Sequence, residues 1–178
     1  LYVHVTTQQV MDAMSPDAQG LLAVVATEEA TGSEALAAAL EGARLVAVLT
    51  QAQDPGNAGT IIRAADAAGA AAVVLVRGSV DPTAPKVVRS TAGSLFHLPV
   101  VTGVALDDAV TALHNAGLTV LAADGRGDFD LFEAESLLEA PSAWLLGNEA
   151  HGLPSEALSR ADAVVSIPIY GKAESLNL

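Results

Sequence analysis

The chain has 178 residues, 51% hydrophobic and only 3% aromatic, with no cysteine and a formal net charge of −13. That length fits one full domain plus a fragment, and its Ala, Val and Leu supply a core without staples. Disulfides and cysteine-type zinc sites are excluded, the four histidines (His4, His97, His114, His151) show no ligand spacing, and no apolar run reaches the roughly 18 residues of a membrane span.

The acidity argues against indiscriminate nucleic-acid binding, because phosphates are neutralised by Lys and Arg. Many of the acids, however, fall between Asp124 and Glu139, while five of the eight basic residues (Arg63, Lys86, Arg89, Arg126, Lys172) lie in or near strand-end loops. A local basic patch is therefore compatible with an acidic whole. No signal-peptide pattern is present and no metal site is expected; a cytoplasmic location is. The chain opens on Leu1 rather than Met and reads as cut at both ends.

In chain order, Tyr2 to Val5 reads as a strand, Gln8 to Met14 as a helix and Gly20 to Val25 as a strand. Ala26 to Gly32 is linker-like and Ser33 to Leu40 helical. Leu45 to Thr50 (LVAVLT) is a short apolar run, as expected of a strand buried on both faces. An Asp54-Pro55-Gly56 turn leads into a helix from about Asn57 to Ala68, closed by Gly69. Strands follow at Ala72 to Val76, Leu98 to Val101, Leu118 to Ala123, Trp144 to Leu146 and Val164 to Ile167. Between them lie helices at Val87 to Ser94, Leu106 to Ala116 and Leu153 to Ala161. Such alternation predicts an α/β fold with a mostly parallel sheet, whose ligands bind beyond the carboxyl ends of the strands.

Three polar loops lie at such ends. The first is the string QDPGNAGTIIRAADAAG, carrying Asn57 and Arg63; alone, Asn57 reads equally as a helix cap and Arg63 as a surface residue. The second is LLGNEAHGLP, in which glycines flank Glu149; alone, it is a tight strand-to-helix turn. The third is Ser175-Leu176-Asn177, after a strand that ends Ser166-Ile167-Pro168. Asp124-Gly125-Arg126-Gly127-Asp128 also follows a strand, but it lacks the third glycine and the helix start of a dinucleotide loop. Read as a calcium loop, the same stretch has Arg126 at a ligand position and Phe129 where glycine is required. Gly93-Ser94 is not a nucleophile elbow.

Together and in this order, the three loops resemble the motifs of the SpoU/TrmH family of RNA 2'-O-ribose methyltransferases, within the SPOUT superfamily. The resemblance covers residues 45–178 strongly and 1–26 weakly. It implies a C-terminal trefoil knot, a homodimer, an RNA substrate (ribosomal before transfer RNA) and S-adenosylmethionine as cofactor. It assigns Arg63, Asn57, Glu149, Ser175 and Asn177 to the methyl-transfer site, and Gly147, Ile167, Leu176 and Ala123 to the cofactor. Gly147 is expected to let the backbone approach that cofactor. Residues 1–26 are expected to be the remnant of an L30e-like RNA-binding domain, 27–43 a linker and helix, and 44–178 the catalytic domain, without the helix that completes the knot. A binding-only module and an unrelated α/β enzyme that uses Asp124 to Gly127 for a nucleotide are the competing classes. Cofactor binding without methyl transfer would mark the first, and NAD binding the second.

Overall fold

A computed structural model describes residues 2–26, 30–148 and 152–172. Its core is a seven-stranded sheet: β1 (Leu45–Leu49), β2 (Ala72–Val76), β3 (Val100–Val104), β4 (Thr119–Ala123), β5 (Phe129–Asp130), β6 (Ser142–Leu146) and β7 (Ala163–Ser166). The order is β3-β2-β1-β6-β4-β7-β5, and every neighbouring pair is parallel. The expected α/β fold with a parallel sheet is therefore present. Seven helices accompany the strands among the described residues: α1 (Gln8–Met14), α2 (Gly32–Ala39), α3 (Pro55–Ala67), α4 (Pro85–Ser90), α5 (Leu106–Asn115), α6 (Glu135–Leu138) and α7 (Ser155–Arg160).

Alternation along each strand splits the core into layers. Val46, Val48, Val74, Val76, Val120 and Ala122 face α2, α5 and α7, where Leu36, Leu113 and Ala157 meet them. Leu49, Val73 and Leu75 face the opposite way, against Ile61 and Ile62 of α3 and Val87 of α4. Leu121 and Val165 form a smaller cluster with Leu137 and Trp144. Every residue of β2 is buried, which is why AVVLV is an unbroken apolar run.

Helices α3 and α4 touch at Gly59. A Cβ there would stand 1.9 Å from Ser90 Oγ and 2.7 Å from Ser90 Cβ. Ser90 Oγ is itself engaged, donating to Pro55 O at 3.1 Å and to Lys86 O at 2.9 Å. Gly59→Ala is expected to push α4 off α3 and destabilise the protein by about 1–3 kcal/mol, the usual scale of overpacking. Urea denaturation measures this, and Ser90→Gly in the same chain should recover part of the loss.

Several expected elements differ. The segments 2–5 and 20–25 form no strand, and only the helix between them appears, capped by the Thr7 side chain on Val10 N. The helix expected to reach Ser94 ends at Ser90, since Ala92 turns to φ 50. β3 begins at Val100 and runs on through Thr102 and Gly103 to Val104, later than expected, as an edge strand with a ladder on one side only. β5 and α6 were not expected; they build the far edge from the acidic stretch. The knot depends on chain after Lys172, outside the described residues. No helix among the described residues is long and apolar enough to cross a membrane.

Candidate active site

The first motif starts from β1. Thr50 donates its N–H and Oγ1 to Leu146 O, at 2.9 and 3.1 Å, so the chain leaving β1 is pinned to the end of β6. Gln51 follows with φ 56, a left-handed conformation rare outside glycine and Asn, just beyond the carboxyl end of β1. Asp54 then caps α3: its Oδ1 accepts from Asn57 N at 3.0 Å, with Pro55 in the first turn. That backbone bond is the main reason the Asp54 carboxyl is held below its ordinary pKa. Asn57 is thus the third residue of the helix rather than its cap, and its side chain is left for other partners.

Ala58, Gly59, Ile61, Ile62 and Ala65 form the buried face of α3, and Arg63 lies on the exposed side. It sits about 9 Å along the axis from Asn57. Among the described residues Arg63 makes no hydrogen bond or ion pair. By contrast Lys86, Arg89, Arg126 and Arg160 each meet a carboxylate, at 3.8, 2.9, 2.9 and 2.8 Å. Arg44 and Arg77 each donate to a carbonyl. In a chain this acidic, a guanidinium without a carboxylate is available for an anion from outside. Lys86 and Arg89 lie on the adjoining α4 and were not singled out as site residues by sequence reasoning.

The second motif leaves β6 at Gly147. Asn148 and Gly152 then pair as a narrow neck, Asn148 N–H donating to Gly152 O at 3.2 Å and Gly152 N–H to Asn148 O at 2.7 Å. A Cβ on Gly147 would lie 2.5 Å from Gly152 C and O and 2.7 Å from Leu153 N. Gly147 is therefore required first by the loop's own returning backbone. The expectation attributed it only to approach by a ligand. Glu149 and His151 lie outside the described residues.

The ends of β4 and β7 complete the corner. Ala123 pairs with Val165, and Asp124 N–H donates to Val165 O at 3.1 Å. Beyond that bond, the backbone of Ile167 makes no hydrogen bond among the described residues, and the residue is 45% exposed. The structure thus brings Ala123, Gly147 and Ile167 to adjoining strand ends, with α3 starting from the neighbouring β1. Ser175, Leu176 and Asn177 lie outside the described residues.

The Asp124-Gly125-Arg126-Gly127 segment is not shaped as a phosphate loop. A Cβ on Gly127 would lie 2.7 Å from Val164 O and Ser166 N, so this glycine is pressed against β7. Ser166 Oγ donates to Gly127 O at 3.2 Å. A cavity of about 720 Å³ lies elsewhere, over β3, lined by Arg77, Asp81, Phe96 and Val100 among others, and holds none of the motif residues.

A family model described as the SpoU rRNA Methylase family matches residues 44–178. The chain belongs to that family. It is 40% identical over 142 residues to the 23S rRNA (guanosine(2553)-2'-O)-methyltransferase RlmP of Bacillus subtilis, covering 78% of this chain and 55% of that protein. The SpoU methyltransferase AviRb from Streptomyces viridochromogenes, solved with the cofactor AdoMet, superimposes with a TM-score of 0.66 at 38% identity, over 75% of this chain and 53% of that one. The AdoMet-bound rRNA methyltransferase from Sinorhizobium meliloti gives 0.76 at 30% identity, over 97% of this chain and 65% of that one. The chain spans about half the length of the curated relatives it matches.

Proposed function

We propose that this protein is an RNA 2'-O-ribose methyltransferase that uses S-adenosylmethionine and acts on ribosomal RNA in the cytoplasm. The observation that carries the reading is the corner where Ala123, Gly147 and Ile167 meet, beside a helix that presents Arg63 without an internal partner. Both AdoMet complexes and the 23S rRNA substrate in the relatives' names support it.

Ala123, Gly147 and Ile167, with Leu176 from beyond the described residues, are the residues that would hold the cofactor. When bound, its sulfonium supplies an activated methyl group, so no metal is needed. What remains for the chain is to orient the ribose and help the 2'-hydroxyl lose its proton. Arg63 binds the phosphate beside the target and polarises the hydroxyl; a guanidinium carries only donors and is a poor base, so phosphate or water takes the proton. Asn57, at the start of the same helix, sits to orient the ribose, and Glu149, Ser175 and Asn177 are assigned to the same task by the family pattern. Incubating the full-length protein with total RNA and methyl-labelled cofactor, then mapping the labelled ribose, tests the reading. Label on a base, or on no RNA, would count against it.

Two finer parts belong to the same proposal. Residues 1–26 close an L30e-like RNA-binding unit, because Tyr2, Val3, Val5, Leu21 and Val24 are more than 80% exposed and need an apolar layer to cover them. The protein is a homodimer: Ile167, Ile169 and Tyr170 stand exposed beside the site, at 45, 37 and 91%. Light scattering on the full-length protein at micromolar concentration should give twice the chain mass, and a monomer there would remove the dimer from the proposal.

A further inference from the structure

The loop after β4 holds a carboxylate that the chemistry above leaves unused. The Asp124 side chain is only 7% exposed, in a loop whose Arg126 side chain is 77% exposed. Asp124 Oδ1 accepts from the Arg126 backbone N–H at 3.0 Å and from its Nε at 2.9 Å, and Oδ2 accepts from Nη2 at 3.1 Å. Its backbone N–H reaches Val165 O on β7. On the side of the second motif, Oδ2 lies 3.5 Å from where a Cβ on Gly152 would stand. A single residue at the end of β4 therefore bonds to β7 and stands beside the neck of the loop from β6.

An ion pair with a buried carboxylate and an exposed guanidinium is a weak route to stability, since desolvation of the acid and solvent screening of the base offset much of the attraction. Such a pair does fix a conformation. The Arg126 side chain keeps the Asp124 carboxyl below its ordinary pKa, so the pair stays charged at neutral pH. Its mounting is also rigid. Gly127 is held against β7 by close backbone contact and by the Ser166 hydroxyl, and Gly127 N–H closes a turn on Asp124 O at 3.0 Å. Gly152, at φ +64, faces the carboxylate in a backbone conformation that L side chains rarely adopt.

We propose that Asp124 and Arg126 are positioning residues for the cofactor loop: they fix the backbone at Gly152, and through it the Asn148–Gly152 neck, in the shape that receives S-adenosylmethionine. The inference rests on the reading of Gly147 and its neck as part of the cofactor site. The pair touches no reacting atom; it acts through Gly152.

The test uses the full-length protein with Asp124→Asn, Arg126→Gln, the double variant and Arg126→Lys. S-adenosylhomocysteine is titrated calorimetrically, and amide hydrogen exchange at Asn148 and Gly152 is followed without any ligand. Each single variant should bind about tenfold more weakly, the scale of one charge-assisted hydrogen bond. Exchange at Gly152 should quicken while exchange in β1 and β2 stays as in the wild type. The double variant should be no worse than either single, because the two groups work as one unit. Arg126→Lys should recover part of the affinity, since an ammonium keeps the charge but not the fork. In turnover, KM for the cofactor should rise with kcat near that of the wild type. Three results overturn the inference: single variants that bind within about twofold of wild type; faster exchange throughout the sheet, which marks a purely structural pair; and a raised KM for RNA with cofactor affinity intact, which makes Arg126 a phosphate contact. If the wild type itself fails to bind S-adenosylhomocysteine, the cofactor reading falls and the inference with it.

Discussion

Arg63→Ala is expected to lower methyl transfer at least about a hundredfold, some 2.7 kcal/mol of barrier, while cofactor affinity and thermal stability stay near wild type. Arg63 holds no other described residue in place in the folded chain. It is exposed and has no partner among the described residues, so truncating it removes no packing and breaks no ion pair. The proposed cofactor corner is built from β4, β6 and β7, whereas Arg63 rides on α3 from β1, so ground-state cofactor binding has little reason to change. A contact to the phosphate and 2'-hydroxyl that strengthens in the transition state would appear in turnover instead. Arg63→Lys should also be poor, because a single ammonium lacks the planar bidentate fork. Single-turnover methylation of the native RNA, beside cofactor titration of each variant, separates these effects. If Arg63→Ala keeps more than about a tenth of wild-type turnover, a barrier change under about 1.4 kcal/mol, the assignment is wrong.

The central strands were legible because they are buried on both faces. LVAVL and AVVLV are unbroken apolar runs bounded by turn residues, and they became β1 and β2. Edge elements carry no such signal. β3 continues through Thr102 and Gly103, β5 is two residues long, and α6 lies in a stretch that reads only as acidic. The apolar residues of Tyr2 to Val5 and Gly20 to Val25 read as strands, yet no described strand pairs with them. At the first motif, Asn57 read alone as a helix cap. The cap found is Asp54, in keeping with the preference of proline for the first helical turn. The arrangement of Asp124 to Gly127 was out of reach of local pattern. Nothing in those residues states that β7 crosses Gly127 or that Gly152 returns beside Asp124; both are contacts between distant segments.

Gly147→Ala is expected to weaken binding of S-adenosylhomocysteine at least about tenfold and to cost about 1–3 kcal/mol of stability. The added methyl would stand 2.5 Å from both the carbon and oxygen of Gly152 and 2.7 Å from Leu153 N, all of them backbone atoms, so no side chain can rotate aside. The returning strand cannot simply retreat, because Leu153 is 3% exposed and anchored in the core beside Ala157. The strain must instead open the neck, at the expense of the 2.7 and 3.2 Å bonds between Asn148 and Gly152. Glycines elsewhere in the corner supply the controls. Gly125 has nothing within 4 Å of its would-be Cβ, so Gly125→Ala should bind cofactor like the wild type. Gly127, at 2.7 Å from β7 backbone, should be intolerant of Ala. A phosphate-binding glycine loop at 125–127 would give a different pattern: both substitutions would weaken a nucleotide ligand, and Gly147→Ala would spare it. Calorimetric titration of the three variants, with urea denaturation to record stability, distinguishes the two. Normal cofactor binding by Gly147→Ala would show that the neck can open without disturbing the site, and would remove Gly147 from it.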